Sequence, residues 1–295
     1  MSHAQAGEQA SRGWRWGEGI AWLLAAGLLA WLFLPQLGGM VLVWWHDPNY
    51  SHGFLVPLIS AGIIWHRRHD LARLPRRPSG AGLWVLAAGL VILVAGKLAH
   101  ELYLQRVSLV PVLWGLAWTA WGWPLARSLF FPLAYLLFMV PLPYMLYDAV
   151  AFPLRLVAAS LAGGMLRLTG MPVLVEGNVL HLPHAVLDVV DACSGIRSII
   201  SLLAAAVIMV HLMLRRGWGK TLVVLLVLPV AVVTNALRVF GAGLLSRYFG
   251  KAVLEGTTHD AVGWLVFMAA FGMLAAFTLL LRRLEGKREE AGHGA

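Results

Sequence analysis

Apolar runs of near-membrane-spanning length, broken by short connections rich in arginine, glycine and proline, recur from one end of the chain to the other. A membrane helix needs about 20 mostly apolar residues. The runs that approach this are 19–37, 53–65, 81–98, 107–123, 127–142, 193–214, 221–237 and 260–281. Two of them are short, and the second can begin as early as Tyr50. The run 149–168 is also long enough, but it carries Arg155, Arg167 and Pro153. It is read as an interfacial or re-entrant helix on the outer face. Between 172 and 190 the period changes. Val173-Leu174-Val175 and Val179-Leu180-His181-Leu182 flank Glu176-Gly177-Asn178, a hairpin-like turn, and 186–190 supplies a third strand. The pattern predicts an all-α polytopic membrane protein with about eight transmembrane helices, an interfacial helix and a small extracytoplasmic β element.

This reading makes 1–285 a single integral membrane domain. Residues 1–18 form a cytoplasmic N-terminal tail, and 286–295 a flexible cytoplasmic C-terminal tail. The apolar run that follows Arg12 and Arg15 lacks a small-x-small cleavage site and continues into Trp31, Phe33 and Pro35. It is therefore read as a retained helix rather than a cleaved signal. No repeat and no low-complexity tract is evident.

Composition agrees with a membrane protein. Hydrophobic residues make up 60% of the 295 positions and charged residues 13%, against about 25% charged in a soluble domain. The 14 tryptophans suit interfacial belts. The net charge of +9 would suggest nucleic acid in a soluble protein. Here the cations fall in short connections and tails, and no aromatic-basic interleaving suits a nucleic-acid strand. With eight spans the N-terminus, the Arg67–Arg77 connection, Arg127, the Arg215-Arg216-Lys220 connection and the C-terminus all share one side. That side is cytoplasmic by the positive-inside rule.

The same orientation places three chemically capable residues at the outer ends of consecutive spans. Cys193 opens the sixth, Arg238 closes the seventh and His259 opens the eighth. Cys193 is the single cysteine, so no internal disulfide is available to it. The first turn of a helix favours thiolate over thiol, and the thiolate is the nucleophile. Asp191 can cap that helix, while Ser194 and Gly195 permit close approach of another backbone. Arg197 follows one turn on. A guanidinium at Arg238, oriented by Asn235, would stabilise an oxyanion, and His259, followed by Asp260, would act as acid or base. Each has a plainer reading: a buried packing cysteine, an arginine snorkelling to headgroups, a solvated loop histidine. The cluster His46, Asp47 and His52 fits no strong metal motif. A supporting or substrate-gripping role is read for His52, and Glu176 and Asp188 can meet a substrate amide or cation. His66 and His69 are read as solvated. Neither a cofactor nor a metal is expected.

Taken in order, several blocks resemble the exosortase/archaeosortase family of membrane cysteine transpeptidases. They are Asn49-Tyr50-Ser51-His52-Gly53-Phe54-Leu55-Val56-Pro57, Glu176-Gly177-Asn178, Ala192-Cys193-Ser194-Gly195-Ile196-Arg197-Ser198, Asn235-Ala236-Leu237-Arg238-Val239, and His259-Asp260 with Gly263-Trp264. The resemblance implies that Cys193 is the nucleophile, Arg238 the transition-state stabiliser and His259 the acid/base. It implies partners as well: exported proteins whose C-terminal sorting tail carries a signature such as Pro-Glu-Pro, a transmembrane helix and a basic cluster. It further implies an acceptor nucleophile, a link to exopolysaccharide machinery, and an inner-membrane location with the active site facing the periplasm. Two other readings stand beside it. One is a membrane protease that hydrolyses without transfer. The other is a non-enzymatic exopolysaccharide transport or assembly protein.

Overall fold

A computed structural model describes residues 3–183, 185–189, 196–249 and 256–293, with side chains over 19–183, 185–189, 199–247 and 261–286. The chain is mostly helical and divides into two compact units, 1–141 and 142–295.

In the first unit, helix α1 runs His3–His46 and a 3-10 turn follows at Pro48–Phe54. Then come α2 (Leu55–His66), α3 (Arg68–Ala72), α4 (Ala81–Leu98), α5 (Leu102–Val107), α6 (Leu109–Trp121) and α7 (Trp123–Tyr135). A 3-10 turn, Leu136–Met139, closes the unit. Helix α4 packs on α5 and α6 through glycines. Gly82, Gly89 and Gly96 stand seven apart on one face, meeting Thr119, Val112 and Gln105, and Gly115 of α6 meets Leu86 in return. A Cβ on Gly89 would lie 2.8 Å from Val112. In lipid, where apolar surface gives helices no special reason to associate, such close backbone approach lets dispersion hold them together.

The Asn49–Gly53 block is a packing knot in this unit. Asp47 caps the 3-10 turn by accepting the Asn49 N–H at 2.9 Å, and Tyr50 is buried. Trp44 stacks directly over Gly53, where a side chain has no room, and its indole donates to the Met139 carbonyl at 2.9 Å. His52 Nε2 meets the Phe138 carbonyl at 3.2 Å.

In the second unit, α8 (Tyr144–Leu168) leads into strands β1 (Leu174–Glu176), β2 (Val179–His181) and β3 (Val186–Asp188). They form an antiparallel sheet in the order β1-β2-β3. The register is set by the turn, where Gly177 takes φ +62, a conformation that a β-carbon disfavours. Helices α9 (Ile196–Met213), α10 (Gly217–Phe249) and α11 (Gly256–His293) complete the unit. The expected β element is therefore present. The 286–295 tail read as flexible begins inside α11.

The two larger of the clusters among the described residues of this unit hold its helices and sheet together. Leu202, Ala206 and Val210 of α9, with Leu214 just past its end, meet Val223, Val227 and Ala231 of α10 and Ala270, Leu274 and Leu281 of α11. The four-residue spacing aligns each row on one helical face. The second cluster joins Ala159, Ala162 and Leu166 of α8 to Leu180 and Leu187 of the sheet, Val189 just after it, and Val239 and Ala242 of α10. At the opposite end of the helices, Glu285 is buried and accepts the Arg215 backbone N–H at 3.1 Å, tying the α9–α10 connection to α11.

Among the described residues, five helical segments are long and apolar enough to cross a membrane: Gly19–His46, Ala81–Leu98, Tyr144–Leu168, Gly217–Arg247 and Ala261–Gly286. Trp123–Met139 and Ile199–Met213 are shorter apolar helices. The segment read as interfacial thus has the length of a span. Pro153 does not break α8, and Arg155 donates to Asp148 at 3.1 Å, with its side chain 13% exposed. An arginine neutralised in this way is much less of an obstacle to burial than a lone one.

Candidate active site

Helix α10 starts immediately after the basic pair Arg215-Arg216 and carries Arg238 on its sixth turn. Arg238 is 21 residues beyond Gly217, about 32 Å along the axis at 1.5 Å per residue. That distance is close to the thickness of a bilayer's hydrocarbon core, about 30 Å. Along α10 the arginine therefore stands about one hydrocarbon thickness from the basic connection. The helix itself runs on past Arg238. Helix α10 continues to Phe249 because Val239 and Ala242 stay packed against α8 and the sheet, and Gly243 fits under Leu166.

The Arg238 guanidinium lies against Gly263 of α11. A β-carbon there would stand 2.8 Å from Nη2 and 3.0 Å from Cζ. Gly263 is four residues after His259 on the same helix, so the two positions share a face one turn apart. The sequence therefore places the histidine and the arginine's contact point on one stripe of α11. Asn235 lies one turn before Arg238 and is buried, 5% exposed, within the row Val223, Val227, Ala231, Asn235, Val239.

Cys193 and Ser194 lie outside the described residues. So does the Asp191 cap. Arg197 falls in the first turn of α9, and His259 and Asp260 in the first two turns of α11. The side chains of these three residues lie outside the described set. The last described residue before Cys193 is Val189. Val189 is fully buried in the same cluster as Val239, the residue after Arg238.

Two supporting candidates have other partners. Glu176 Oε2 lies 3.3 Å from His181 Nε2 on the neighbouring strand, and Asp188 accepts from Asn178 at 2.8 Å. Both carboxylates thus help to hold the sheet. His52 belongs to the first unit, where burial pushes its pKa below the usual value, outweighing hydrogen bonds to the Phe138 and Asn49 backbone that favour the charged ring. Among the described residues, no three His, Cys, Asp or Glu side chains are grouped as a metal would need.

Sequence reasoning missed three features. Gly263 was visible only as part of a motif, although its spacing from His259 was the available signal. Arg106, just ahead of an apolar run, is buried at 8% exposure beside Gly39. Glu285, set among C-terminal arginines and singled out by no sequence pattern, is 6% exposed.

Several helices long and apolar enough to cross a bilayer, with large apolar side chains exposed along them, define a multi-pass membrane protein. The chain belongs to the transmembrane exosortase family, whose model matches residues 44–276. No curated protein and no solved structure gives a significant match. The matched region takes in the Trp44–Gly53 knot, the sheet, and α10 with Arg238, and ends within α11.

Proposed function

We propose that the protein is a membrane cysteine transpeptidase that cleaves C-terminal sorting tails of the Pro-Glu-Pro type from exported proteins. The observation that carries this reading is the placement of the Arg238 guanidinium on Gly263, one helical turn from His259. The covalent chain adds the nucleophile. Cys193 is four residues beyond Val189, a reach of at most roughly 14 Å when fully extended, and Val189 shares a cluster with Val239.

In this mechanism the Cys193 thiolate attacks the scissile carbonyl. Arg238 stabilises the tetrahedral oxyanion, and His259 protonates the departing amine. The resulting thioester is resolved by an acceptor nucleophile that the same histidine deprotonates. Arg197, Ser194, Asn235 and Asp260 support the site. The enzyme crosses the bacterial inner membrane about eight times, with both termini cytoplasmic and the site facing the periplasm. A substrate helix whose basic tail stays cytoplasmic brings its signature to the level of Cys193. Exopolysaccharide machinery is the expected setting.

The test follows one tail-bearing protein by intact mass, co-expressed with wild type or with a stably inserted Cys193→Ala. Trimming that needs Cys193 is expected, with an added mass on the product. Cys193-dependent trimming without added mass would mean hydrolysis rather than transfer. Equal trimming by both proteins would return Cys193 to a packing role.

A further inference from the structure

The sheet has one covered edge and one open edge. Strand β1 runs against α8, where Val175 packs onto Gly163 and the Val173 carbonyl accepts from Arg167 Nε at 3.4 Å. Among the described residues, strand β3 has no such neighbour on its outer side. Its register fixes which backbone groups face outward. Leu182 donates to Ala185 and Val189 donates to Asn178, both at 2.9 Å, and Leu187 pairs with Leu180 between them. Residues 185, 187 and 189 are therefore the hydrogen-bonded positions towards β2. Val186 and Asp188 turn their N–H and C=O groups the other way. No described group bonds those outward amides, and Val186 is 60% exposed.

An open edge is a template for another strand. Here the edge is short, two outward residues about 7 Å apart. In the sequence, Cys193 follows five residues after Asp188. We infer that the free edge of β3 pairs with an extended segment of the peptide substrate and so carries the scissile bond towards the nucleophile. The inference rests on the proposed peptidase function. A peptide in strand conformation meets both requirements of such a site. Its backbone matches the outward ladder whatever its side chains, and its carbonyls are presented singly for attack. The exposed face that Val186 shares with Leu174, Val179 and His181 is left to the alternate side chains of that peptide.

The experiment uses the full-length protein and a tail-bearing substrate. Val186→Pro removes one outward N–H and leaves the bonds to β2, which use Leu187 and Val189, in place. Val186→Ala keeps the backbone donor. Losing a hydrogen bond should raise KM roughly three- to tenfold in Val186→Pro, with kcat near wild type, and Val186→Ala, which keeps the donor, should raise KM less than Val186→Pro. A second measurement leaves the enzyme untouched. Single amide-to-ester replacements along a synthetic tail should weaken processing at alternate positions. A flat ester scan overturns the inference, whether or not Val186→Pro folds. So does a Val186→Pro protein that processes like wild type while losing a dimer seen before substitution, since the edge then pairs copies of the chain. Failure of the peptidase reading itself looks different: Cys193→Ala would process substrate as fast as wild type.

Discussion

Arg238 and Gly263 form a contact in which the absence of a side chain is the working feature. A methyl group at 263 would stand 2.8 Å from Nη2, inside van der Waals contact. The atom it meets is the far end of a flexible chain, so the guanidinium can swing aside and the helices can stay where they are. Gly263→Ala should therefore insert and melt like wild type, yet lower processing by about tenfold to a hundredfold, the range expected when a catalytic group is displaced by about 1 Å. Arg238→Ala should lose about a hundred- to a thousandfold in turnover, as when an oxyanion donor is removed. Rates on the tail-bearing substrate, beside thermal melts, separate the two effects. His52 allows a pH test. Its pKa is lowered in the folded protein by burial, so the unfolded chain takes up a proton first as pH falls. The stability it contributes is complete above the unfolded value of 6.5 and is lost as pH drops below it. Melting at pH 7.5 and 5.5 should show a larger drop for wild type than for His52→Gln, and equal drops would refute the assignment. The reactive residue types were legible in the sequence because a thiol, a guanidinium and an imidazole at ends of apolar runs need a reason to be there. Gly263 carries no functional group, so only the neighbouring helix shows what it does.

The sheet and α10 set how the site is held. Leu180 is fully buried between α8, the sheet and α10, in the cluster that also holds Val189 and Val239. Leu180→Ala should cost about 2–5 kcal/mol and loosen the strand that leads towards Cys193. Processing should fall at temperatures where the protein still melts cooperatively, and full activity there would separate the sheet from catalysis. The hairpin was readable because alternation and the Glu176-Gly177-Asn178 turn are local signals. The length of α10 was not. Its continuation past Arg238 depends on what Val239 and Ala242 pack against, which is tertiary information. The seven-residue spacing of Gly82, Gly89 and Gly96 was visible, but glycines in an apolar run read as ordinary membrane composition until α5 and α6 are seen against them.

The number of crossings is decided by the whole chain, through the parity of its charged connections. Helix α8 is 25 residues, about 38 Å, and has paired its arginine, so length and polarity allow it to cross. Counted as a ninth crossing, it would turn outward both the Arg215-Arg216-Lys220 connection and the arginines at the end of α11. That arrangement contradicts the positive-inside bias at two separate places. Parity also survives if α8 crosses and α7 does not. Yet α7 with its 3-10 extension covers Trp123–Met139, 13 residues of α-helix and 4 of 3-10 helix. At 1.5 and 2.0 Å per residue that is about 28 Å, nearly the hydrocarbon thickness. We therefore expect α7 to cross and α8 to lie at the outer face. Reporter fusions at Pro141, Gly170 and Gly217 separate the three arrangements. Periplasmic, periplasmic and cytoplasmic signals, in that order, are expected. A cytoplasmic Pro141 with a periplasmic Gly170 would make α8 the crossing helix and α7 the one that turns back. A periplasmic Gly217 would add the ninth crossing, and would put the sheet, Arg238 and His259 on the cytoplasmic side, where no exported tail could reach them.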